Sequence, residues 1–194
     1  VAVGRGALGT LDVGGDGYNV ALGYFSSTSM TTGNSNVTIG YNSAYQLTTG
    51  TSNVVIGNNA MIAANGGESK NIAIGAGTLA ALDNDGDNYN IAIGHNAGND
   101  VTTGEKNILI GGLAGDALTT GDGNVAIGHL ALSAEDEHGR NVAVGYQALQ
   151  VLDAGQEGYN TAVGYVAGKA LSDGQGNTYL GAEAGNSATT GDDN

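Results

Sequence analysis

A five-residue phrase returns eleven times along this chain: Asn, a mostly apolar residue, a usually small residue, a mostly apolar residue, Gly. The first copy, Val1-Ala2-Val3-Gly4, begins just after its Asn would stand; the last is Asn177-Thr178-Tyr179-Leu180-Gly181. The glycines are Gly4, Gly23, Gly40, Gly57, Gly75, Gly94, Gly111, Gly128, Gly145, Gly164 and Gly181, at steps of 17 to 19 residues. A unit this short cannot bury an apolar face by itself, so each copy must stack on its neighbours. The chain is thereby restricted to a solenoid or a fibre segment, and any function belongs to a repetitive surface.

One unit reads as follows. In Asn36-Val37-Thr38-Ile39-Gly40, the alternation of Val37, Thr38 and Ile39 has the period of a strand, and Gly40 suits a bend or close approach. Seven residues after each Gly a second apolar position follows, among them Met30, Leu47, Leu82, Val101 and Leu118; Glu135 breaks the series. A Gly/Thr/Asp/Asn cluster then closes the unit as a turn. The expected rung is strand, bend, second short strand, turn. A helix in the second half is disfavoured, because Gly112-Leu113-Ala114-Gly115 holds two glycines. The repeated Asn positions predict an amide ladder running from rung to rung. The fold expected is all-β: a parallel β-roll or β-solenoid with rungs of 17–19 residues.

Residues 1–194 form a single array of eleven rungs, and Asn194, 17 residues after Asn177, opens a further phrase. With no polar cap at either end, the stretch reads as a window of a longer fibre. A second period lies above the first. The rungs of 19 residues share Leu-x-x-Leu-Asp followed by Tyr-Asn, at Leu8, Leu79 and Leu149, a four-rung super-repeat of about 70 residues.

The middle strand position is unusual: Ala2, Ala21, Ala73, Ala92, Ala126, Ala143 and Ala162, with Thr38, Val55, Leu109 and Tyr179 in the other copies. If the flanking residues point into the rung, this one points out, where a solvated strand would carry polar side chains. A strand apolar on both faces is buried on both. The alanines are therefore expected to line an interface between parallel copies of the chain, in a homo-oligomer.

Composition limits the partners. A net charge of −14, from 19 acidic and 5 basic residues, excludes the basic patch that nucleic acid requires and disfavours an anionic membrane surface. There is no Cys, hence no disulfide framework or thiolate metal site, and no apolar run approaches a membrane span, so no membrane insertion is expected in this segment.

No arrangement reads as catalytic, and the chain is expected not to be an enzyme. The position after the rung Gly holds Tyr24, Tyr41, His95, His129, Tyr146 and Tyr165, a column of flat polar rings suited to glycan or receptor contact. Asp83, Asp85 and Asp87 have the spacing of a loose Ca²⁺ loop but lack the Gly and distal Glu of an EF-hand. The acidic turn Glu135-Asp136-Glu137 is a further loose cation candidate. Thr-Thr-Gly recurs, as at Thr48-Thr49-Gly50, which brings ice binding into view.

The phrase Asn124-Val125-Ala126-Ile127-Gly128 resembles the head repeats of YadA-type trimeric autotransporter adhesins. The longer spacing, with Ile39-Gly40-Tyr41 and Thr48-Thr49-Gly50, is similar to bacteriophage tail-fibre β-roll arrays. The resemblance covers essentially the whole chain. It implies a left-handed β-roll wound as an intertwined parallel homotrimer, extracellular, on a virion tail fibre or a bacterial cell surface. The function expected is a structural and adhesive fibre segment that mediates or presents attachment to a host cell, through a cell-surface glycan or protein receptor. Two alternatives stand beside it: the head of a bacterial autotransporter adhesin, and a monomeric solenoid module binding glycan, calcium or ice.

Overall fold

A computed structural model of the protein describes residues 1–12, 17–153 and 155–194. Residues 13–16 and Ala154 lie outside the described residues. The strands are β1 (Ala2–Val3), β2 (Val20–Leu22), β3 (Val37–Ile39), β4 (Val54–Ile56), β5 (Ile72–Ile74), β6 (Ile91–Ile93), β7 (Ile108–Ile110), β8 (Val125–Ile127), β9 (Val142–Val144), β10 (Thr161–Val163) and β11 (Thr178–Leu180). They form one parallel sheet in chain order. Like residues face like: Ile72 lies beside Ile91, Ala73 beside Ala92 and Ile74 beside Ile93. The chain is an all-β parallel solenoid whose rungs are the sequence repeats. No helix among the described residues is long and apolar enough to cross a membrane.

The second arm of the rung is not a strand. It is a run of turns in which alternate residues take left-handed backbone: Asn42 and Ala44 at φ 53° and 47°, Asn96 and Gly98 at 53° and 57°, Leu130 and Leu132 at 58° and 53°. This zigzag turns successive N–H groups toward opposite neighbours. Asn42 donates to the Tyr24 carbonyl in the rung before (3.0 Å), and Ala44 to the Ala60 carbonyl in the rung after (2.9 Å). The arm is thus hydrogen-bonded on both sides without strand geometry, which apolar spacing alone could not distinguish from a strand.

At the bend the rung glycines hold φ between +124° and +146°, a region closed to other residues. A Cβ at Gly111 would lie 2.5 Å from the Gly128 carbonyl oxygen, so the close stacking of bends also demands Gly.

The core is thin and fully occupied. In β3 through β10 the middle strand residue is buried and its two neighbours are partly exposed. The middle residue packs against positions three, four and seven after the rung Gly, such as Ala148, Leu149 and Leu152, all fully buried. Sizes compensate across this gap. Ala73, Ala126 and Ala143 share their rungs with Leu79, Leu132 and Leu149. Leu109 instead lies over glycines, since a Cβ at Gly98 or Gly115 would come within 2.6 or 2.8 Å of its methyl groups. Tyr179 is matched in the same way by Gly168 and Gly185.

This packing corrects one expectation. Ala21, Ala73, Ala92, Ala126, Ala143 and Ala162 are buried inside their own chain and cannot line a trimer interface. They are small because a leucine, a methionine or a neighbouring rung's larger side chain fills the space opposite. Ala2, in the first strand, is exposed. The residues that point outward are the flanking Val and Ile.

The Asn ladder is present from Asn19 to Asn194. In each rung the backbone N–H of Asn donates to the side-chain oxygen of the preceding Asn, as from Asn107 to Asn90 (3.0 Å) and from Asn124 to Asn107 (2.8 Å). In most rungs the side-chain amide donates across to the closing turn, as from Asn107 to the Gly121 carbonyl (2.9 Å) and from Asn36 to the Gly50 carbonyl (2.8 Å). The residue before each Asn has positive φ, for example Ser52 at 59° and Lys106 at 59°. That corner takes the Asn N–H out of the ordinary strand ladder, and an amide oxygen replaces the missing carbonyl.

Candidate functional site

The expected ring column divides into two stacks. Tyr24 and Tyr41 lie 5.5 Å apart between centroids at 6°. His129, Tyr146 and Tyr165 continue at 5.7 and 5.5 Å, within 11° of parallel. Asn58 and Ala76 interrupt the column on one side of His95, and Gly112 separates His95 from His129. All six side chains are exposed. Because consecutive rings face one another at the rung spacing, their flat faces are largely covered. A sugar meets ring edges and phenol hydroxyls along each stack and an open ring face only at its ends.

Asp83, Asp85 and Asp87 do not converge. Asp85 accepts the Gly67 N–H at 2.6 Å, and Asp87 pairs with Lys70 at 2.6 Å. Among the described residues, the group whose ligand atoms lie within 4.8 Å of one another is Glu135, Asp136, His138 and Asp153. Glu135 Oε1 accepts the His138 N–H at 3.1 Å and lies 3.4 Å from His138 Nδ1. Three carboxylates and one imidazole form a donor set suited to a divalent cation. Glu135 is fully buried at the position that is otherwise apolar, so the break in the sequence series marks this cluster.

A second buried carboxylate, Glu68, escaped the sequence reading. Its Oε2 accepts the Gly66 N–H at 3.1 Å while its Oε1 has no hydrogen-bond partner. Burial raises its pKa, and the nearby charges of Asp85 and Asp83 add to the rise.

The super-repeat builds one surface feature twice. Lys70 pairs with Asp87 at 2.6 Å and lies 5.0 Å from the Tyr89 ring centre. Seventy residues on, Arg140 pairs with Glu157 at 2.8 Å and lies 5.6 Å from the Tyr159 ring centre. Hydrogen bonds to Asp87 and then to the Tyr89 hydroxyl push the Lys70 pKa up. The sequence flagged the tyrosines through the super-repeat. Their cations sit one rung earlier and became neighbours only on stacking.

The threonine hydroxyls serve the ladder: Thr119 Oγ1 donates to the Asp136 carbonyl (2.8 Å) and Thr102 Oγ1 to the Thr119 carbonyl (3.2 Å). These hydroxyls are committed between rungs, while the second threonine of each pair, at Thr32, Thr49, Thr103, Thr120 and Thr190, is exposed.

Compared with protein-family models, curated proteins and solved structures, the chain matches none.

Proposed function

We propose that this chain is a structural and adhesive fibre segment, of the bacteriophage tail-fibre kind, which presents attachment to a host cell surface. The observation that carries this reading is the uninterrupted rod: eleven in-register parallel strands joined by a continuous Asn ladder. Eleven rungs at about 4.8 Å span roughly 50 Å. Such a rod offers contact chemistry repeated along its length. Parallel copies assemble into a homotrimer, outside the cell, on a virion or a cell surface. The stacked Tyr and His edges are the proposed receptor-facing elements, and repetition converts weak single contacts into useful avidity. The phrase shared with autotransporter adhesin heads favours that context as the second reading.

The test is retention of the fluorescently labelled chain on intact bacteria and on purified surface polysaccharides. Saturable binding that weakens at least fivefold in a Tyr41→Ala, Tyr146→Ala, Tyr165→Ala variant is the expected result. Absence of binding to every surface would remove the adhesive half of the reading.

A further inference from the structure

We infer that the turns on either side of β9 hold a divalent metal ion of the zinc class, bound by Glu135, Asp136, His138 and Asp153. The inference does not depend on the fibre reading. Three of the ligands come from the turn between β8 and β9, and Asp153 comes from the turn after β9. Their ligand atoms all lie within 4.8 Å of one another. The ion therefore staples two successive rungs.

The geometry is that of a metal site rather than of an acidic surface. Glu135 has no access to solvent, and a carboxylate taken out of water is paired or metal-bound. His138 Nδ1 is also buried, lies 3.4 Å from Glu135 Oε1 and makes no hydrogen bond among the described residues. This is the separation of two ligand atoms on one tetrahedral ion, since bonds of about 2.1 Å give edges of about 3.4 Å. The remaining atoms reach the same distance by rotation of Asp136 and Asp153, neither of which is buried. The backbone around them is already fixed. The Asp136 carbonyl accepts the Thr119 hydroxyl at 2.8 Å, the His138 carbonyl accepts the Asn124 amide at 3.1 Å, and the Asp153 N–H donates to the Ser172 carbonyl at 3.0 Å. Binding has little left to order.

The donors select the ion. One imidazole with three carboxylates suits zinc and its first-row neighbours, whereas calcium takes about six to eight oxygens. Three carboxylates this close repel one another, in a chain of net charge −14, and a dication offsets that repulsion. The super-repeat contains its own comparison. Four rungs earlier Ala64 stands where Glu135 does, and Glu68 stands where His138 does, its carbonyl accepting the Asn53 amide at 2.7 Å. Glu68 has Asp83 and Asp85 nearby but no imidazole. The metal site thus belongs to one turn of the array.

The experiment titrates Zn²⁺ into the whole chain, freed of metal with a chelator, and follows it by calorimetry. The expected result is a single saturable ion per chain and a melting midpoint that rises with Zn²⁺. His138→Gln and Asp153→Asn should each weaken binding by at least about tenfold, the loss that follows even when a ligand's supporting partner is removed. Glu135→Leu should do the same, and it restores the apolar residue that Leu118 and Leu152 supply in other rungs, so its fold is secure. Glu68→Gln should leave the affinity unchanged. No saturable binding, or binding that the Glu135, His138 and Asp153 variants leave intact, overturns the inference. Should a variant not fold, the imidazole nitrogen resonances of the parent decide. Zn²⁺ should shift those of His138 and leave His95 and His129 in place; the reverse pattern overturns the site.

Discussion

A single Asn shows how the rod closes each rung. Asn107 accepts the Asn124 N–H and holds the Gly121 carbonyl, and its side chain has no access to solvent. Asn107→Ala strands a buried donor and a buried acceptor, for an expected loss of about 2–4 kcal/mol. Urea unfolding measures it; a loss below half a unit of that scale would mean that water takes over the amide's role. Glu68 carries a different liability. Its carboxyl has an unfolded value near 4.5 and a higher one when folded, so the native state keeps its proton longer. Its contribution to stability is therefore complete below about 4.5 and is lost as pH rises through the raised folded value. Glu68→Gln should abolish that dependence. The difference in urea midpoint between the two proteins should grow across this window, and a constant difference would refute the assignment.

At the level of the rung, stability depends on volume matching between strand and turn arm. Leu109→Ala opens a cavity over Gly98 and Gly115 and should cost about 2–5 kcal/mol. Gly115→Leu alone drives a side chain into Leu109 and should cost about 1–3 kcal/mol. Together they transplant the Ala–Leu pairing of the Ala126 and Ala143 rungs, where leucines at the equivalent position have φ of 53° and 49°. The double variant should be more stable than the sum of the single losses predicts by about 1–3 kcal/mol. Strict additivity in the cycle would show that the two positions do not share a cavity.

Across the whole molecule, each rung touches only the next, so the rod should tolerate loss of a complete unit. Deleting residues 108–124 removes one 17-residue period and joins Asn107 to Val125, which restores the phrase. That variant should fold with cooperative melting and a modestly lower midpoint. Deleting residues 108–123 leaves Asn124 after Asn107 and turns each downstream side chain to the opposite face at the junction. Circular dichroism should show a large loss of order there, and equal melting of the two deletions would contradict nearest-neighbour stacking in register.

Stacking, rung length, parallel pairing, the Asn ladder and the glycine at the bend were all legible in the sequence. Each follows from a fixed period or from a backbone demand that only one residue type meets. Strand geometry in the second arm was not legible, because alternate left-handed residues and a true strand can carry the same apolar spacing. The choice of inner face also waited for the tertiary structure. A period of two distinguishes two faces of Val37-Thr38-Ile39 without saying which one looks into the rung. The partner across the core decides it. Leucine opposite alanine, and glycine opposite Leu109 and Tyr179, fill one thin interior. That compensation was written in the repeats, at residues far enough apart along the rung that it gained meaning only when the turn arm folded back over the strand. The outward Val and Ile columns, and the cations beside Tyr89 and Tyr159, became a surface only once the rungs were stacked.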